Sequence, residues 1–161
     1  MGEEEKIIVE AKQGNATAQL LLGLMYSVGK GIPRDDEEAF YWFTESAEQG
    51  NAVAQLHLGF VYENGKGTPQ DYEKALYWFT KSAEQEDAEA QLSLGVMYAK
   101  GSGTPQNYET GYAWFYLSTA NGDKEARKWR DEISKKLSSG QVTKAQKLSI
   151  EIQKRIDNSK L

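Results

Sequence analysis

Few residues in this chain have the means to do chemistry. His57 is the one histidine among 161 residues, and there is no cysteine. An imidazole could act as a general base or a metal ligand, but a metal site needs several donors, and no cysteine or clustered carboxylate accompanies this one. No serine, histidine and aspartate arrangement of the nucleophilic kind is recognisable either. Two acidic pairs, Asp35 with Asp36 and Glu37 with Glu38, have the residue types of an acid and a base. They stand at a helix start, where capping and the helix dipole favour acids without any reaction. The strings GKG at 29–31 and 65–67 and GSG at 101–103 could cradle a phosphate, yet no strand precedes them, and the dinucleotide-binding and P-loop spacings are missing. The residues therefore point to no catalytic site, no cofactor and no metal.

The elements that would position any site repeat. LGLMYSVGKGIP from Leu22, LGFVYENGKGTP from Leu58 and LGVMYAKGSGTP from Leu94 follow one another at an offset of 36 residues without insertion or deletion. A period of this size marks an array in which each unit buries its apolar face against its neighbours. Within a unit the apolar spacing is helical, as at Ala16, Leu20, Gly23 and Leu24. This first helix, helix A, has about 13 residues, with Asn15, Asn51, Asp87 and Asp123 at its four N-cap positions. Gly29, Gly65 and Gly101 are placed to end it, and Gly31, Gly67 and Gly103 to keep the connection tight. Gly23, Gly59 and Gly95 sit inside it, where each costs about 1 kcal/mol relative to alanine. Close approach of the second helix, helix B, through Ala39, Ala75 and Gly111 would account for that cost.

Pro33, Pro69 and Pro105 stop helical continuation, and Asp35, Asp71 and Asn107 cap helix B. Glu38, three residues past Asp35, is placed for a capping box. Helix B carries Trp42, Trp78 and Trp114, each followed by Phe, as interlocking core. The chain opens with a half unit at 3–14, in which Ala11, Gln13 and Gly14 match Ala47, Gln49 and Gly50. Full repeats span 15–50, 51–86 and 87–122, and 123–161 forms a cap, all within a single solenoid domain. In that cap Lys128 and Arg130 replace the apolar Leu20 and Leu22, and Ser138 with Gln141 opens a final helix through about Arg155. Val142, Ala145, Leu148 and Ile152 of that helix cover the last repeat.

Composition narrows the partners. Residues 1–122 hold 8 Lys and Arg against 18 Asp and Glu, while 123–161 hold 11 against 6. An acidic body repels phosphate backbones, so nucleic acid is not expected, and the basic tail reads as solvated helix faces. No apolar run is long enough for membrane insertion. The acidic start is unlike a signal peptide, so the chain as it stands would be cytoplasmic; removal of a leader would allow a periplasmic or secreted protein.

The pattern A-x-A-Q-x-x-L-G-x-x-Y-x-x-G-x-G followed by A-x-x-W-F-x-x-S-A-E-Q-G resembles the consensus of the Sel-one-like repeat (SLR) family, relatives of tetratricopeptide repeats. The likeness spans nearly the whole chain, and LSSGQVTKAQKL resembles a closing segment of bacterial members. The resemblance implies an all-α fold, a right-handed α/α superhelical solenoid of 36-residue helix-turn-helix repeats. It also implies an adaptor whose concave surface of A helices meets proteins or peptides. Some cysteine-rich bacterial members have been connected with penicillin binding or hydrolysis, whereas this chain has no cysteine. Ser159, Lys160 and Leu161 spell a peroxisomal address, which in a mostly bacterial family reads as chance.

Comparing the copies with one another separates framework from candidate surface. In helix A the variable positions are Thr17, Leu21, Leu24 and Val28, then Val53, His57, Phe60 and Asn64, then Glu89, Ser93, Val96 and Lys100. Spacings of four, three and four put each set on one helix face. This stripe is the candidate surface for a protein or peptide ligand, with Gln19, Gln55 and Gln91 as a polar ladder at its edge. The alternative is that Leu24, Phe60 and Val96 pack between units. The leading function is a noncatalytic scaffold that binds a peptide or protein segment. Alternatives are a hydrolase of cell-wall or β-lactam type and an assembly element, a monomer or weakly self-associating chain stacking end to end through Ile7, Ile8 and Ala11.

Overall fold

The computed structural model describes residues 2–161. Among them there are nine helices and no strand: α1 (Glu3–Lys12), α2 (Ala16–Val28), α3 (Asp36–Glu48), α4 (Ala52–Asn64), α5 (Tyr72–Ala83), α6 (Ala88–Lys100), α7 (Tyr108–Ala120), α8 (Lys124–Ser134) and α9 (Ser139–Asn158). Helix A of the three repeats is α2, α4 and α6; helix B is α3, α5 and α7. The chain divides into two compact units, Met1–Trp78 and Phe79–Leu161.

Local chemistry sets the helix ends. The side chains of Asn15, Asn51 and Asp87 each accept a hydrogen bond from the backbone N–H three residues on, and Asp123 accepts from Glu125 and Ala126. These bonds satisfy amides that a helix start leaves free. The far ends of α2, α4 and α6 close on Gly29, Gly65 and Gly101, whose φ values of 73°, 64° and 73° lie in the left-handed region. Asp35, Asp71 and Asn107 cap helix B as the sequence predicts. Glu38 completes no capping box. Its carboxylate instead accepts from the indole Nε1–H of Trp42 at 3.1 Å, one turn along α3.

In the first unit α1 packs on α2, α2 on α3 and α3 on α4. One cluster joins Ala11, Ala18, Leu22, Met25 and Trp42, with Ile7 and Ile8 against it. A second joins Leu20, Phe43, Ala54, Leu58 and Val61. The short α1 packs mainly on α2 among the helices of this unit. In the second unit α7 packs against α6, α8 and α9, and Phe115 lies in a cluster with Ala99, Tyr112, Ile133 and Ala145. The capping box of Ser138 and Gln141 opens α9, which runs to Asn158 rather than Arg155 and buries Ser149 and Ile156 as well as Ala145 and Ile152. Val142 and Leu148 are half-buried.

Gly23 and Gly95, inside helix A, answer to aromatic rings more than to small residues. A methyl group on Gly23 would stand 2.7 Å from the ring of Phe43, and one on Gly95 would stand 2.4 Å from Phe115. The expected partner Gly111 does approach Gly95, since a Cβ on Gly111 would meet the Gly95 carbonyl at 3.0 Å, but the ring sets the limit. In the loop after α4, a Cβ on Gly67 would fall 2.0 Å from the Asp36 carbonyl, and φ there is +75°. That residue has neither the room nor the backbone conformation for a side chain.

Candidate functional site

All twelve variable positions lie on the first helix of a repeat, and none is buried. On α2, Thr17 is exposed, Leu21 and Val28 are 41% and 68% exposed, and Leu24 is half-buried against the core cluster. On α4, Val53 is 42% exposed, His57 and Phe60 are half-buried, and the exposed Asn64 donates from Nδ2 to the Phe60 carbonyl at 2.8 Å. The His57 imidazole stacks on Phe43, with centroids 5.2 Å apart and an interplanar angle of 12°. One face of the imidazole thus packs as an aromatic ring does.

On α6, Glu89 and Lys100 are exposed and Ser93 and Val96 half-buried. Val96 packs on the second unit's cluster, so packing of Val96, like that of Leu24, is part of its role. Lys100 holds its ammonium 5.8 Å from the centre of the Trp129 ring. The carboxyl of Glu89 is partly withdrawn from water, which, together with the charges of Asp87 and Asp123, raises its pKa above the ordinary carboxylate value. Glu89 has no hydrogen bond or ion pair among the described residues.

The three glutamines do not form a surface edge. Gln19, Gln55 and Gln91 are buried, and each donates from Nε2 to a backbone carbonyl eight residues upstream: Ala11 at 3.2 Å, Ala47 at 3.1 Å and Ala83 at 3.2 Å. These carbonyls lie at the end of the preceding helix, where each also accepts from the backbone N–H three residues on (Gly14, Gly50 and Glu86), so the glutamine amide supplies a second bond to the same oxygen. Gln49 donates to Gln19 Oε1 at 2.6 Å, and Asn121 to Gln91 Oε1 at 2.9 Å. The ladder is structural because a buried amide must satisfy both its ends.

The sequence reading missed the residues that complete the α2 surface. Leu21, Leu24, Met25 and Val28 line a cleft of about 340 Å³ together with Glu3, Glu4 and Ile7 of α1 and with Lys30. The available signal was the acidic first turn of α1, which a half repeat does not need for packing. Asp35 is used in capping, and Asp36 pairs with Arg34 at 2.9 Å, a contact that holds the Asp36 carboxyl below its usual range. Among the described residues no group of three or more His, Cys, Asp or Glu could hold a metal, and no helix is long and apolar enough to cross a membrane.

A ladder of capped helix pairs, pinned by buried glutamines and carrying a variable stripe, defines a helical repeat scaffold. Three consecutive stretches, residues 16–51, 52–87 and 88–123, match the family described as Sel1 repeat. The chain belongs to the Sel1 repeat family.

Among solved structures, the chain is similar to a Sel1 repeat protein from Oxalobacter formigenes, at 38% identity and a TM-score of 0.69 over 71% of this chain and 47% of that one. It is also similar to c5321, a protective antigen of uropathogenic Escherichia coli with an SLR fold, at 29% identity and a TM-score of 0.61 over 92% of this chain and 40% of that one. Cysteine-rich protein B of Helicobacter pylori shares the fold, at 22% identity and a TM-score of 0.61 over 78% of this chain and 95% of that one. The chain spans less than half the length of the first two. No curated protein matches the sequence. The fold is thus an all-helical SLR solenoid, a class that generally serves as a scaffold for protein–protein contacts and is typically non-enzymatic.

Proposed function

We propose that this protein is a noncatalytic adaptor that holds a peptide or protein segment against the variable face of its A helices. The observation that carries the reading is the contrast within each helix A. Leu22, Leu58 and Leu94 are buried, as are Gln19, Gln55 and Gln91, while all twelve variable positions keep contact with solvent. Apolar side chains kept at the surface, such as Leu21, Val28 and Val53, lose nothing to packing and gain only when a partner covers them. Half-buried His57 and Phe60 give the α4 segment aromatic area, the kind of surface enriched at the centres of interfaces.

The test is capture from a lysate of the native host, comparing the wild type with a His57→Ala, Phe60→Ala, Asn64→Ala variant whose helicity is unchanged. The reading requires that proteins retained by the wild type be lost from the variant. Equal retention by both would place the binding surface elsewhere.

A further inference from the structure

The cleft between α1 and α2 joins an apolar floor to unpaired negative charge. Leu21, Leu24, Val28 and Ile7 supply the floor, and Glu3 and Glu4 stand at its rim. Neither carboxylate has a hydrogen bond or ion pair among the described residues. The positive end of the helix dipole accounts for acids in the first turn of α1. It does not account for their position beside exposed leucine and valine. Lys30 is the single cation on the lining, so the rim carries an excess of negative charge. At about 340 Å³ the space lies at the small end of ligand cavities, matching a few side chains and not a large cofactor.

We infer that the partner segment is basic and apolar, seating aliphatic side chains on Leu21, Leu24 and Val28 while lysine or arginine beside them meets Glu3 and Glu4. This rests on the proposed reading of the stripe and names the chemistry of its occupant. A second site on the stripe points the same way. Glu89 stands near the acidic Asp87 and Asp123, with its own carboxyl pushed up by partial burial and by those two charges. A cation brought by a ligand would relieve that repulsion. An acidic or neutral segment would leave both sites uncompensated, and an anionic membrane or nucleic acid would be repelled by them.

The experiment selects a random peptide library displayed on phage against three forms of the full chain: wild type, Glu3→Gln with Glu4→Gln, and Glu89→Gln. Peptides recovered on the wild type should be enriched in Leu, Ile or Val flanked by Lys or Arg. Their affinity should fall about tenfold on the Glu3→Gln, Glu4→Gln form and weaken as salt is raised. A recovered pool without basic enrichment, or one that binds all three forms equally, overturns the inference. So does a wild-type mass that falls on dilution and becomes monomeric in the Glu3→Gln, Glu4→Gln form, because a second copy of the chain would then fill the cleft. If host proteins are lost from the His57→Ala, Phe60→Ala, Asn64→Ala variant yet retained by Glu3→Gln with Glu4→Gln, the stripe reading stands and only the basic partner falls.

Discussion

The ring of Phe115 lies over Gly95 so closely that a methyl group on Gly95 would stand 2.4 Å from it. Glycine in mid-helix is ordinarily a weakness that alanine repairs, by about 1 kcal/mol. Here the sign reverses. Phe115 is fully buried and cannot swing away without disturbing its cluster. Gly95→Ala is expected to destabilise by about 1–3 kcal/mol through overpacking. Gly140→Ala, in the first turn of α9 where the nearest atom to a new methyl is 4.0 Å away, should be neutral or gain up to about 1 kcal/mol. Urea unfolding of the two variants checks the pair; a gain at both would mean that Phe115 does not hold its place.

Gln91 is fully buried, with its amide spent on Ala83 and Asn121. Gln91→Ala removes the second of two bonds to the Ala83 carbonyl, which keeps the one from the Glu86 N–H, and leaves the Asn121 side chain without its acceptor, at an expected cost of about 1–3 kcal/mol. A surface glutamine would cost less than about half a kcal/mol. Equilibrium denaturation distinguishes the two.

Leu58 is likewise fully buried, at the centre of the first unit's cluster. Its truncation to alanine is expected to cost about 2–5 kcal/mol by cavity formation. A loss below about half a kcal/mol would remove Leu58 from the core.

Glu86 is the one non-glycine residue among those described with a positive φ, 64°, at the position that Gly14, Gly50 and Gly122 fill in the sister copies. Its carboxylate accepts from Gln153 at 2.8 Å and pairs with Lys160, tying α9 and the residues beyond it back to the end of the second repeat. The bond to Lys160, then that to Gln153, holds its pKa below the ordinary value. A depressed folded-state pKa gives a contribution that is complete above the unfolded value, about 4.3, and is lost as pH falls through the folded one. Lys160→Met is therefore expected to flatten the acid limb of stability below about pH 4.3 and leave its shape at neutral pH unchanged. Glu86→Gly should relieve about 1 kcal/mol of backbone strain and speed hydrogen exchange in the last turn of α9. An unaltered acid limb in Lys160→Met would show that the pair contributes nothing.

The frame was legible because its determinants are local and repeated. Asn15, Asn51, Asp87 and Asp123 each cap by a bond to backbone within three residues, so spacing alone found them. What spacing could not find were contacts between helices. Gln19 looked like surface because its partner, the Ala11 carbonyl, belongs to the helix before it. Gly23 was matched to a small residue when an aromatic ring one turn further along α3 fills the space. Glu38 has the spacing of a capping box, but its carboxylate accepts from the Trp42 indole. The variable stripe was readable as a helix face, whereas the cleft beside it needs α1 in place, and no periodicity within α2 reports Glu3, Glu4 or Ile7.

Site-directed photocrosslinking tests the central claim most directly. A photoreactive amino acid is placed singly at Thr17, Val53 or Glu89 on the A helices, and at Tyr41 or Tyr77, exposed positions on the B helices. Each variant is then irradiated in lysate of the native host. The account predicts adducts of the same partner from the three A-helix positions and none from Tyr41 or Tyr77. Adducts from Tyr41 or Tyr77 alone would contradict it.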